Sequence, residues 1–183
     1  MNKDLLPNLR VLGQVDLKFI LVTDESILYA LDQHAVDERI MLEALEVPLR
    51  QNPPQLKLHH FTLPGIKMLF SIQHQGTLST HHRHLTNWGF HFKCSEYGMY
   101  WTTAPEIDGR IPNENDVLEY FDILQQGGIT LRPPVITRFL HSRACRSAIM
   151  FGDELSLKQC QRLVVRTTQI LIILSSQYSV FID

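Results

Sequence analysis

The residues of this chain best suited to chemistry lie between Asp32 and Glu43, where Asp32, His34, Glu38 and Glu43 put four ionisable groups within twelve residues. His34 and Glu38 are four apart, so on a helix they stack on one face. An imidazole and a carboxylate so placed suit a borderline-soft divalent metal. The same residues also fit a plainer arrangement. Asp32 would cap the helix by accepting from its unpaired backbone N–H groups, and His34, Asp37, Glu38 and Glu43 would form a solvated face with Arg39. The residues alone leave both open.

The elements around this stretch follow from the pattern of apolar residues. Ile27 to Leu31 alternates as a strand does, and Ile40, Met41, Leu42 and Leu45 recur at helical spacing, so the stretch is a strand-to-helix junction. Leu9 to Val15 and Phe19 to Val22 read as two earlier strands, with a turn at Thr23-Asp24-Glu25-Ser26. Connections this short require antiparallel pairing. The helix from Gln33 ends before Pro48 or at Asn52-Pro53-Pro54, where proline forbids its continuation.

From about residue 50 to 134 the chain becomes richer in His, Pro and Gly. Leu56 to Phe61 alternates as a strand, Ser79 to Trp88 reads as a short helix stopped by Gly89, and Phe90 to Lys93 pairs with Tyr97 to Thr103. Asn113 or Asn115 caps a helix through Val117, Leu118, Phe121 and Leu124, which Gly127-Gly128 ends. After Pro133-Pro134 a helical face is expected from Val135, Phe139, Leu140 and Ile149, ending at Gly152. Ser156 starts another helix through Cys160, Leu163 and Val164. The expected architecture is α+β in two lobes. Residues 1–49 and 135–183 form a mostly antiparallel sheet covered by helices, and 50–134 form an inserted smaller β/α lobe.

The composition, with 44% hydrophobic and 20% charged residues, is that of a globular domain. A formal charge of −2 argues against a strong DNA-binding surface, because tight non-specific affinity needs many cations on phosphates. Three widely spaced cysteines, Cys94, Cys145 and Cys160, indicate neither a disulfide framework nor a zinc finger and fit a reducing compartment. No run approaches a membrane span, and the N-terminus lacks the apolar core of a signal peptide. Phosphate-binding glycine loops are absent, so no ATP site is expected. His74, His81, His82 and His84 are expected on a solvated helical face, and Cys94 and Cys160 as structural. Arg132, Arg138, Arg143 and Arg146 are close enough in sequence to meet phosphate.

The string Asp32-Gln33-His34-Ala35-Val36-Asp37-Glu38-Arg39-Ile40-Met41-Leu42-Glu43 resembles the endonuclease motif Asp-Gln-His-Ala, two residues, Glu, four residues, Glu of the C-terminal domain of MutL-type DNA mismatch-repair proteins. Every fixed position is matched. Ala144-Cys145-Arg146 resembles the family's Ala-Cys-Arg motif, and Phe151-Gly152-Asp153-Glu154-Leu155-Ser156 looks most like the third eukaryotic branch, the MutL gamma subunit. The resemblance covers roughly residues 9 to 165. It implies a metal-dependent endonuclease that nicks double-stranded DNA in mismatch repair and meiotic recombination. It also implies a heterodimer with the first eukaryotic MutL homologue, a nuclear location, and a middle lobe that is external and regulatory. His34, Glu38 and Cys145 would be ligands of Zn2+ or Mn2+, with Asp32, Glu38 and Glu43 serving catalysis. On its own terms Cys145, between Ala144 and Ala148, also reads as packed core.

One departure bears on whether the chain is an enzyme. Family members with nuclease activity carry Cys-x-His-Gly-Arg-Pro after the last helix, supplying two more ligands. From Arg166 to Asp183 this sequence has neither Cys nor His, and its apolar runs Ile170 to Leu174 and Val180 to Ile182 are expected to fill core. A zinc site takes about four ligands, so His34, Glu38 and Cys145 leave it one short unless the partner's chain end completes it. A shortened chain, a mis-joined coding sequence or a lineage without the activity would show this pattern. The alternative reading is therefore a dimerisation module of the same fold without catalysis.

Overall fold

The computed structural model describes residues 9–24, 26–127 and 132–178, with 171–178 given as helix backbone. Gly128, expected to help stop a helix, and Val180 to Ile182, expected to fill core, lie outside the described residues. The chain divides into two compact units, one formed by residues up to Leu45 and from Arg143 onward, the other by Glu46–Ser142. The architecture is α+β, with antiparallel pairing in every sheet.

The first unit opens with a three-stranded sheet of β1 (Arg10–Val15), β2 (Phe19–Thr23) and β3 (Leu28–Asp32), in that order. Its register pairs Ile20 with Leu31 and Val22 with Tyr29. Side chains alternate across the sheet, so Ile20 and Val22 point into the core and are fully buried. Phe19, Leu21 and Thr23 take the opposite face. Asp24 holds the β2–β3 turn, its carboxylate accepting from the backbone N–H groups of Ser26 and Ile27 at 3.3 and 2.9 Å and from the Tyr29 hydroxyl at 3.1 Å.

Helix α1 (Gln33–Glu46) follows β3 without a loop, and Asp32 Oδ1 accepts the Ala35 N–H at 2.9 Å. Val36 and Ile40 of α1 meet Cys160, Leu163 and Val164 of the final helix over Ile20 and Val22. That final helix runs Leu157–Tyr178. Ser156 starts it as expected. Its backbone N–H donates to Gln159 Oε1 while Gln159 N–H donates back to its hydroxyl. Of the run Ile170 to Leu174, only the Ile170 side chain is described, and it packs against this core.

The second unit is built on β7 (Gly98–Glu106), which pairs with β6 (His91–Ser95), β4 (Lys57–His60) and β5 (Ile66–Met68). Trp101, Phe90, Tyr120 and Phe121 fill its core and are almost fully buried. Helix α2 spans Ile72–Asn87, longer than its apolar pattern predicts, because the Ser71 hydroxyl caps it by accepting the His74 N–H at 3.1 Å. Helix α3 (Glu114–Gln125) is capped by Asn113 with a reciprocal bond to Asp116. Helix α4 (Pro134–Ser147) ends earlier than the expected Gly152. The intervening loop turns at Gly152, whose φ of +97° suits glycine and whose N–H donates to the Leu17 carbonyl at 2.9 Å. The helix Leu157–Tyr178 is α5 in chain order. Among the described residues no helix is long and apolar enough to cross a membrane.

Candidate metal centre

His34, in the first turn of α1, and Glu38, one turn on, share a face with 3.8 Å between Nε2 and Oε2. Cys145, near the end of α4, brings its Sγ to 3.6 Å from the same Nε2. The three ligand atoms all lie within 4.8 Å of one another. Bonds of about 2.0–2.3 Å to a tetrahedral ion put neighbouring donors roughly 3.4–3.7 Å apart. The observed separations to Nε2 are close to that edge. Cys145 is exposed while Ala144 and Ala148 on either side are buried, which removes the packed-core reading of this cysteine.

The orientation of His34 is fixed from behind. Its Nδ1–H donates to the carbonyl of Ile149 at 2.9 Å, which leaves Nε2 as the lone pair facing Cys145 and Glu38. Phe151 sets its edge against the imidazole, with ring centroids 6.1 Å apart. The Ile149 loop is held in turn by α1, since the Ile149 N–H donates to Asp37 Oδ2 at 2.9 Å. Gln33, fully buried, donates to the Met150 carbonyl at 2.7 Å and accepts from Gln14 of β1. These bonds tie sheet, helix and loop into one support for the ligands.

The sequence pattern assigns Gln33 and Asp37 no separate role, and its plainer reading puts Asp37 on a solvated face. Asp37 is only 4% exposed. The available signal was their spacing, because positions 33, 36, 37 and 40 form the core stripe of α1 and two of the four are polar. Of the other candidate residues, Asp32 caps α1 and Glu43 pairs with Arg39 at 3.3 Å, so neither joins the cluster. The structure brings together His34, Glu38 and Cys145 from that set.

The remaining candidates are placed elsewhere. His74 is not on a solvated face: it is half-buried against Phe70 and Phe121 and pairs with Asp122 at 3.2 Å. Apolar rings on both sides explain its burial. Cys160 is buried in the core, which pushes its thiol pKa up, whereas Cys94 is exposed on β6. Arg138 is engaged by Glu119 and Asp116 at 2.7 and 2.6 Å, bonds that raise its pKa further, and Arg132 by Glu46 at 2.7 Å.

Comparison with known proteins matches residues 12–155 to the family model of the MutL C terminal dimerisation domain. The chain is similar to DNA mismatch repair protein MLH3 of Arabidopsis thaliana, 28% identical over 90% of this chain and 16% of that protein. It is also similar to DNA mismatch repair protein Mlh3 of Homo sapiens, 30% identical over 88% of this chain and 14% of that protein. Mismatch repair endonuclease PMS2 of Gallus gallus is 24% identical over 93% of this chain and 20% of its own length. The chain thus spans at most about a fifth of the length of these three relatives.

Proposed function

Since this chain belongs to the MutL C-terminal dimerisation domain family, we propose that it is the metal-dependent DNA-nicking and heterodimerising part of a mismatch-repair protein of the third-homologue type. Its setting is the nucleus, in mismatch repair and meiotic recombination, with the first eukaryotic MutL homologue as partner. The observation that carries the reading is the convergence of His34, Glu38 and Cys145 on one point. Thiolate, imidazole and carboxylate form a donor set that fits Zn2+ and accommodates Mn2+.

When bound, such an ion supplies Lewis-acid chemistry, polarising a phosphodiester and activating water. The chain's own residues do the rest. The Ile149 carbonyl accepts from the His34 Nδ1–H and so turns Nε2 toward Glu38 and Cys145. Asp37 accepts from the Ile149 N–H and so fixes the loop that orients the imidazole. Glu38 and Cys145 bring the negative charge that balances a divalent cation. With a net charge of −2, the chain by itself holds duplex DNA weakly and depends on its partner for residence.

A second reading, the same fold kept for dimerisation without nicking, is favoured by the ligand count. Among the described residues the cluster has three candidate ligands where zinc takes about four. Nicking of supercoiled DNA by the co-expressed heterodimer separates the two. His34→Ala or Glu38→Ala is expected to abolish nicking while the dimer persists. Mutants that nick at the parental rate would sink the site assignment, and a parental protein that dimerises but never nicks would leave the second reading standing.

A further inference from the structure

Many of the described cations are neutralised in pairs, Lys18 with Asp16 among them, whereas Arg10, Lys67, Arg83 and Lys93 are scattered without a carboxylate partner among the described residues and three more lie together on α5. Arg39, Arg50, Lys57, Arg132 and Arg138 lie in ion pairs with carboxylates. Lys158, Arg162 and Arg166 of α5 are exposed, and none of them has a carboxylate partner among the described residues. Helix α5 contains no Asp or Glu along its whole length. In a chain with a small negative net charge, three unneutralised cations in one row are a local excess.

Their spacing makes the row geometrically regular. Positions 158, 162 and 166 succeed one another at four residues, so they share one face of the helix and span ~12 Å. All three line a single groove of about 490 Å³, whose exposed lining is mostly apolar and includes Ile149, Leu163 and Val165 as well as Gln159. Ile149 is the residue whose carbonyl orients His34. The groove edged by these cations and the candidate metal centre therefore share a residue within the same unit.

We propose that the Lys158, Arg162 and Arg166 face of α5 receives phosphates of a DNA strand and lays the backbone along the groove beside the His34, Glu38 and Cys145 cluster. A strand advances about 3.4 Å per nucleotide and neighbouring cations are ~6 Å apart, so the ~12 Å row runs beside roughly four phosphates and meets about every second one. Gln159 adds a neutral donor suited to sugar-phosphate oxygens. The three cations act as positioning residues, outside the ligand set. The inference rests on the reading of the chain as a DNA-nicking domain and extends it to how the substrate is held.

The test is the affinity of the purified chain for a short labelled duplex between about 50 and 200 mM salt. It compares the parental protein with a triple Lys158→Gln, Arg162→Gln, Arg166→Gln variant and a triple charge-reversal variant to Glu. The Gln variant, which keeps long helix-forming side chains, decides the matter if charge reversal disturbs folding. Three lost phosphate contacts are expected to flatten the slope of log affinity against log salt by about 2.7, and to weaken binding at least ~10-fold at the low-salt end. Metal content is expected to be unchanged.

A Gln variant with the parental slope and affinity would overturn the proposal, as would a parental chain with no salt-dependent DNA binding. A variant that keeps DNA affinity but no longer pairs with its partner would assign the face to a protein instead, and would overturn it equally. Failure of the nuclease reading itself shows differently, as parental protein without metal.

Discussion

The imidazole of His34 shows how little of a site's chemistry resides in the ligand alone. Its tautomer is set by a carbonyl of Ile149, more than a hundred residues away in the chain, and that carbonyl is held by the bond from the Ile149 N–H to Asp37. Asp24 is a comparable case at the edge of the same sheet. The Ile27 N–H lowers its pKa most, with Tyr29 and Ser26 adding to the effect and burial opposing it. A carboxylate whose folded pKa lies below its unfolded value of about 3.9 contributes stability above that pH and loses it as pH falls through the folded pKa. The thermal-unfolding advantage of the parental protein over Asp24→Asn should therefore be full at neutral pH and shrink in acid. An advantage that stays constant through that range would contradict the role given to Asp24. Of the residues at the centre, His34 and Glu38 are legible from their spacing, and Cys145 only through its resemblance to a motif. The burial of Asp37 and Gln33 is signalled by the stripe of positions 33, 36, 37 and 40, but what they and the Ile149 loop do is not legible, because those roles arise only when α1 docks on a loop distant in sequence.

At the scale of elements, the pattern of apolar residues carries what it physically can. β1, β2, β3 and α1 are readable because alternation and helical spacing report which face is buried. β5 is not, since Ile66–Met68 is too short to show a period. It is a strand because β7 offers it an edge. The early start of α2 depends on a single cap at Ser71. The sheet of the first unit has an informative second face. Val15, Phe19 and Leu28 are exposed on it, beside Leu21. A contiguous apolar patch on a sheet marks a surface that associates. Phe19→Glu or Leu28→Glu is expected to convert the dimer to monomer in light scattering while metal content is retained. Dimers that survive both substitutions would move the interface to another surface.

At the scale of the whole molecule, the chain is two compact units of antiparallel sheet and helix with a weakly negative charge, and the proposed reliance on a partner for residence on DNA follows from that charge. Everything proposed for this domain's chemistry requires that His34, Glu38 and Cys145 hold an ion. The most direct measurement is elemental analysis of the purified protein, with and without the partner, beside a Cys145→Ala control. About one zinc or manganese per chain is expected in the parental protein, lost in the control. Metal-free parental protein that still dimerises, or metal retained equally by Cys145→Ala, would contradict the metal assignment.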